Sequence, residues 1–194
     1  MAHKFNVKKM HKLDSPERRR IIPPKETLLK AGLKINEIFV DIGCGIGYFS
    51  IPASTIVGPE GKVFALDNSS DMLEELKRRI DKKRIINIVP ILSESYKFPL
   101  GSNSGTFAFI SNVLHEVENK TNFLEETNRV LVDGGTLCII EWQKKETVKG
   151  PPIEERLSET EVRKILKLTG FILISMHAIG ENYISYISKK KKSE

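Results

Sequence analysis

The chain is poor in cysteine, tryptophan and long apolar runs. Two cysteines and one tryptophan in 194 residues leave no room for a disulfide framework. The spacing of Cys44 and Cys138 matches neither a zinc site nor a redox C-x-x-C pair. Both sit in apolar surroundings and read as buried free thiols. No apolar stretch approaches the roughly 20 residues of a membrane span. The basic start, Met1-Ala2-His3-Lys4-Phe5, lacks the apolar core of a secretory signal. These absences predict a cytoplasmic protein with no membrane partner and no metal.

A charge field of one sign is also missing from the body. The net charge is +6, but residues 1–25 hold eight Lys/Arg against two acids, and residues 189–194 hold four lysines against one acid. The segment between them carries nineteen basic and twenty-two acidic groups. Nucleic-acid binding would favour a basic face on the folded body. The basic ends alone keep phosphate contacts open, and Lys189 to Lys192 reads most simply as a solvated, frayed terminus.

What is present is a glycine turn in a telling place. Val40-Asp41-Ile42-Gly43-Cys44-Gly45-Ile46-Gly47 reads as a buried strand ending in an acid, followed by three glycines at alternate positions and then a helix start. Glycine permits a positive φ and lets a ligand lie against the main chain. The dinucleotide fingerprint G-x-G-x-x-G seats a pyrophosphate on a helix N-terminus. Here the spacing is G-x-G-x-G, and an acid beside the turn repels pyrophosphate while suiting a ligand with an ammonium and a sulfonium.

Strand-like and helix-like segments alternate along the rest of the chain, as an α/β fold with a mostly parallel sheet requires. Strands are expected at 37–41, 62–67, 85–92, 106–111 and from Gly135 to Trp142. Helices are expected from Pro24 to about Gly32, from Gly47 to Val57 with a possible kink at Pro52, from Ser69 or Ser70 to Lys83, and from Thr121 to Val132. Ser158-Glu159-Thr160-Glu161 fits a capping box for a last helix closing at Gly170. Phe171–Ala178 and Asn182–Ser188 then form an antiparallel hairpin.

The Asp41-x-Gly43-x-Gly45-x-Gly47 motif resembles the first motif of class I S-adenosylmethionine-dependent methyltransferases, and the resemblance extends over residues 36–188. It implies a Rossmann-like, doubly wound seven-stranded sheet, mostly parallel with a C-terminal antiparallel hairpin. The division is then 1–35 as an N-terminal arm and helix acting as a lid, 36–188 as the methyltransferase core, and 189–194 as a basic tail. The implied cofactor is S-adenosyl-L-methionine, held by Asp41, Gly43, Cys44, Gly45 and Gly47. Asp67 lies twenty residues after Gly47, the position from which an acid accepts from ribose hydroxyls. Asn68 and Met72 flank the adenosine. Glu94 takes the place of the family's adenine-reading acid, although the usual Gly-Asp-Ala setting is absent. In this fold the backbone from Asn112 to Leu114 passes near the methionine moiety.

His115 is the candidate catalytic base, since imidazole titrates near neutrality; a structural His is the alternative. With Glu141 and Trp142, at the end of the fifth strand, it forms the candidate substrate pocket. Asn119 replaces the second His of H-E-x-x-H, so a zinc protease is disfavoured. The motifs of adenine- or glutamine-amino and cytosine-C5 methyltransferases are absent, and two cysteines are too few for the arsenite enzymes. The Gly134-Gly135 turn and the strand into Glu141 look like the ubiquinone/menaquinone biosynthesis group, with Val132-Asp133 in place of the usual Lys-Pro. The expectation is methyl transfer to a small-molecule acceptor. RNA or protein methylation, a cofactor-binding protein without turnover and a dinucleotide oxidoreductase remain alternatives. His3, Phe5, His11 and Leu13–Arg18 are the candidate lid residues. The acceptor's identity and the oligomeric state are not encoded in any motif.

Overall fold

Ile38–Ile42 is apolar on both faces except for one acid, and all but its first residue is buried, as the centre of a parallel sheet demands. The computed structural model describes residue 10 and residues 13–192. Among these, the strands are β1 (Ile38–Ile42), β2 (Lys62–Asp67), β3 (Ile88–Leu92), β4 (Gly105–Ser111), β5 (Leu131–Trp142), β6 (Phe171–Ile179) and β7 (Tyr183–Lys190). They form one seven-stranded sheet in the order β3-β2-β1-β4-β5-β7-β6. The pairs from β3 to β5 are parallel, and β7 runs antiparallel to both β5 and β6. This is the mostly parallel sheet with a terminal hairpin that the alternation anticipates, in the doubly wound, seven-stranded form that the resemblance implies.

The helices are α1 (Pro16–Ile21), α2 (Pro24–Lys30), α3 (Ser50–Val57), α4 (Ser70–Lys83), α5 (Lys120–Val130) and α6 (Glu159–Leu168). Strand alternation divides the core into two layers. Phe39, Phe107, Phe109 and Cys138 pack against α2, α3 and α4 on the first face. Val40, Ile42, Ile110 and Ile139 pack against α5 and α6 on the second. Both cysteines are buried and free.

Three boundaries differ from the sequence reading. α3 begins at Ser50 rather than Gly47, because Gly47 has a φ of 81° and lies outside the helical region. Pro52 therefore falls in the first turn, where its missing N–H costs nothing and no kink arises. α5 ends at Val130, and Leu131 is already extended and paired with Gly105. Gly134 and Gly135 are thus part of an irregular stretch inside β5 instead of a turn before it. Finally, β7 runs to Lys190, so the tail is not frayed there. Lys189 donates to Thr136 Oγ1 at 2.7 Å, and Lys190 to the Leu131 carbonyl at 2.7 Å.

Two features set the helix ends as the sequence indicates. Ser69 caps α4 by accepting from Met72 N, and the helix stops at Arg84 in the left-handed region. Ser158 and Glu161 form the reciprocal capping box of α6.

Candidate active site

The strand order reverses between β1 and β4, and ligands of open α/β sheets bind outside the carboxyl ends of the strands at such a switch point. The chain places the glycine turn directly after β1 and the segment 112–116 directly after β4. Gly43, Gly45 and Gly47 have φ values of 74°, 53° and 81°. A side chain at Gly43 would also overlap Val113, so the turn can be close only with glycine there.

Four of the turn's N–H groups are already taken. Gly43 N and Cys44 N both donate to the Leu66 carbonyl, at 2.8 and 2.9 Å, and Gly47 N donates to the Cys44 carbonyl at 3.0 Å. Gly45 N donates to Asp67 Oδ2 at 2.7 Å. A pyrophosphate cradle needs free N–H groups aimed at the ligand, and these four are directed into the protein. Cys44 packs its thiol into the first core layer, and burial pushes the thiol well above its ordinary value.

Asp67 holds two backbone groups, since its Oδ1 accepts from Ser69 N at 2.9 Å. A carboxylate has about four acceptor positions, so this arrangement still suits hydroxyl donors. Next to it, Asn68 joins Leu92, Ser93, Glu94 and Ser95 around a cleft of about 550 Å³. Glu94 thus lines the same cleft as Asn68, whereas Met72 is buried on α4 and is not among the cleft residues.

Asp41 is almost wholly buried, at 2 % exposure. Its Oδ2 accepts from Ser50 Oγ at 2.5 Å. Burial, with the nearby Asp67 adding, pushes its carboxyl up to about 7 against the lowering influence of Ser50 and Arg18. Across the switch point, Asn112 adopts a φ of 56°, a conformation that Asn tolerates better than most residues. Its Oδ1 is buried and accepts no hydrogen bond. Two acids and an unpartnered amide oxygen therefore bracket the turn, and all favour a ligand that donates protons or carries positive charge.

His115 lies in a short 3-10 turn, Leu114–Glu116. Its Nδ1 is 2.7 Å from Glu141 Oε2, and its backbone N donates to Glu141 Oε1 at 3.3 Å. Glu141 is 2 % exposed, so the imidazole is fixed by a buried carboxylate. Burial pulls the His115 pKa down, but the hydrogen bond and charge of Glu141, helped by Glu116 and Glu155, raise it above its ordinary value. With Nδ1–H directed at Glu141, the neutral ring presents Nε2 as an acceptor. His115 lines a cavity of about 530 Å³ with Lys120, Thr121, Arg156 and α6 residues.

Trp142 is not brought to this cavity. It follows Glu141 in β5, so the pleat sends it to the first face, where its ring lies 4.3 Å from that of Tyr183 and Arg156 sits 5.2 Å from its centroid. The expected pocket is therefore split, with His115 and Glu141 on one face and Trp142 on the other. Sequence reasoning missed Arg156, Tyr183 and Ser50, because no local pattern marks side chains that meet only in the folded sheet.

The N-terminal arm crosses the glycine turn. A Cβ placed on Gly45 would lie 3.4 Å from Leu13 Cδ1. Arg18 stacks on Tyr48 at 4.4 Å, and Asp14 pairs with Arg79 of α4 at 2.8 Å. His3, Phe5 and His11 lie outside the described residues.

Residues 33–192 match the model of a family described as a methyltransferase domain. A solved structure described as a SAM dependent methyltransferase from Aquifex aeolicus is similar, with a TM-score of 0.91 and 34% identity over 96% of this chain and 99% of that one. A demethylmenaquinone methyltransferase of Oceanobacillus iheyensis is 31% identical over 117 residues, covering 60% of this chain and 49% of that protein. Its counterpart in Geobacillus stearothermophilus is 28% identical over 123 residues, covering 63% and 53%. The chain spans about half the length of these curated relatives. By the extent of the family match and the likeness to the Aquifex structure, the chain belongs to the methyltransferase-domain family.

Proposed function

We propose that the chain transfers the methyl group of S-adenosyl-L-methionine to a small-molecule acceptor by in-line displacement. The observation that carries this reading is the polarity of the glycine turn. Four of its N–H groups are engaged internally, and Asp41, Asp67 and the unpartnered Asn112 Oδ1 surround it. That setting repels a pyrophosphate and accepts an ammonium, ribose hydroxyls and a sulfonium. When bound, the cofactor supplies an activated methyl group.

The residues then have separate tasks. Asp67 accepts from the ribose, with Asn68 and Glu94 along the adenosine cleft. Asp41 and Asn112 receive the amino-acid end. His115 takes the acceptor's proton at Nε2, and Glu141 holds the ring and stabilises the imidazolium that forms. Orientation of the two reactants is the chief contribution of the protein, a term that reaches roughly 7–11 kcal/mol in favourable intramolecular cases. A hydroquinone-level form of the acceptor in the relatives' names fits a base-assisted step, since loss of its phenolic proton makes the ring carbon nucleophilic toward the methyl group and the ring C–H proton leaves after transfer. Lys189 and Lys190 are tied to Thr136 and Leu131, which favours the small-molecule reading over an RNA acceptor. Residues 1–35 serve as a lid in this proposal. No described helix is long and apolar enough to cross a membrane, and we place the reaction in the cytoplasm.

Thermal unfolding with S-adenosylmethionine, S-adenosylhomocysteine and NAD in parallel tests the cofactor. Ligand at about 100 times its dissociation constant adds about 2.7 kcal/mol, a shift of several degrees. The expected result is a shift with both adenosyl compounds and none with NAD. A shift with NAD alone would overturn the proposal.

A further inference from the structure

We infer that Arg156 is a positioning residue whose guanidinium shapes the 143–151 loop into an anchor for the N-terminal arm, so that closure over the glycine turn is set from the loop that follows β5. The inference rests on reading this cleft as the cofactor site.

Arg156 follows the Pro151-Pro152 pair and is 4 % exposed. Its Nε donates to the Pro151 carbonyl at 2.9 Å. Nη1 donates to the carbonyls of Gln143 and Lys145, at 3.1 and 2.7 Å. Nη2 donates to Thr147 Oγ1 at 2.6 Å and to the Lys149 carbonyl at 3.3 Å. A guanidinium has five N–H donors in a rigid plane, and here the contacts match that number. The loop is therefore folded around one side chain rather than by a backbone ladder. At Gly150 the fit is closest: φ is 109°, and an added Cβ would lie 2.9 Å from Trp142 Cε3 and 3.0 Å from Arg156 Nη2.

The product of this folding is the position of Lys149. Its carbonyl is held by Arg156, and its ammonium meets both carboxylate oxygens of Glu17 at 2.7 and 2.8 Å. Glu17 belongs to α1, as does Arg18, which donates to the Leu13 carbonyl at 2.9 Å. Leu13 is the residue packed over Gly45. The arm thus has several ties beside the glycine turn, Asp14 to Arg79, Arg18 over Tyr48 and Tyr48 Oη to the Ile22 carbonyl, and one to the loop after β5, Glu17 to Lys149. This last tie is exposed, at 69% and 50% for the two side chains, so it opens readily. Its loop end is fixed by a buried cation, which makes the contact a releasable latch on a rigid post.

Trypsin reads the latch directly, because the arm contains Arg18, Arg19 and Arg20. The cofactor-free wild-type chain, Arg156→Lys, Lys149→Gln and the double variant are compared by the rate of cleavage after residues 18–20, with cleavage in α6 at Lys164 and Lys167 as reference. Lysine keeps the charge but lacks the planar five-donor fork. The expected result is arm cleavage faster by about two- to fivefold in each single variant, the factor an exposed ion pair supports, with the α6 rate unchanged. The double variant should be no faster than the quicker single one, since both changes release the same contact. A purely structural role for Arg156 would speed arm and α6 cleavage alike. That result, an unchanged arm rate in either variant, or additive effects in the double, would overturn the inference. Should Arg156→Lys fail to fold, the exchanged pair Glu17→Lys with Lys149→Glu decides: restored protection supports the latch, and unrestored protection overturns it. The adenosyl-ligand shift of the wild-type chain reports on the cofactor reading separately.

Discussion

The two halves of the cleft are built by different means. On the β1–β3 side, the shape comes from the backbone: three positive-φ glycines, a carbonyl from Leu66 and the capped start of α4. On the β4–β5 side it comes from side chains that meet across long stretches of chain, such as His115 with Glu141, Arg156 with the 143–151 loop and Glu17 with Lys149. The first kind of construction fixes a shape tightly and tolerates one class of ligand. The second can be altered one side chain at a time, which suits a fold that keeps its cofactor and changes its acceptor.

If that division is correct, substitutions should separate cofactor affinity from turnover. The largest effect is expected for His115→Ala, with kcat lowered by about 10²- to 10⁴-fold, the usual worth of a positioned base, and the cofactor dissociation constant unchanged. Steady-state kinetics with an identified acceptor, beside a calorimetric titration of the cofactor, would measure both. Equal losses in both quantities would break the division. Glu141→Gln sharpens it through pH. The neutral ring is the base, so activity rises as pH passes upward through the raised His115 pKa. Removing the Glu141 charge lowers that pKa, and the acidic limb of the kcat profile should move to lower pH.

Asp67→Ala is the counterpart on the cofactor side. It removes the proposed acceptor of the ribose hydroxyls together with the acceptor that shapes the turn at Gly45 N and Ser69 N, and hydrogen bonds from a ligand to a charged group are worth about 1.5–3 kcal/mol each. Cofactor affinity should fall by roughly a hundredfold or more. With saturating cofactor, kcat should stay within a few-fold of wild type. A variant that binds normally but turns over slowly would contradict the separation.

Asp41→Asn probes the same side through stability, with an effect that depends on pH. The folded value of about 7 lies above the ordinary 3.8, so the folded state holds an extra proton. That stabilisation is complete below about pH 4 and is lost as pH rises through 7, on the order of 4 kcal/mol in all. The Tm of Asp41→Asn relative to wild type should therefore climb between pH 5 and pH 8. A difference that stays flat with pH would mean that Asp41 is already ionised in the folded chain.

The same division explains what was legible before folding. The glycine turn, Asp67 at its spacing, the strand alternation and the α6 capping box are local patterns, and each maps onto one stretch of backbone. The end of α5 was misplaced because Leu131 is drawn into the sheet by Gly105, a partner twenty-six residues away. Glu141 and Trp142 both end β5, but its pleat sends the two side chains to opposite faces, which their adjacency in the sequence does not show. Arg156 carried no signal at all. Its importance lies in five acceptors distributed over the preceding loop, and no spacing rule describes them.

Gly150→Ala should give the smallest effect on function and the finest test of the side-chain-built half. The new methyl group needs a left-handed backbone and meets Trp142 and Arg156 at about 3 Å. Overpacking of this kind costs about 1–3 kcal/mol, to be read as a Tm lower by several degrees. The displaced loop should raise the acceptor KM a few-fold, because Arg156, which lines the His115 cavity, moves with it, while cofactor affinity measured by calorimetry should fall by no more than roughly the two- to fivefold that loss of the exposed Glu17–Lys149 contact supports. Gly150 packs on Trp142 at the end of β5, whereas the Asn68–Ser95 cleft follows β2 and β3, so a larger loss of cofactor affinity would show that the halves are mechanically one unit. Near-wild-type affinity with a raised KM would show that the loop acts chiefly on the acceptor and reaches the cofactor half only through the exposed Glu17–Lys149 contact.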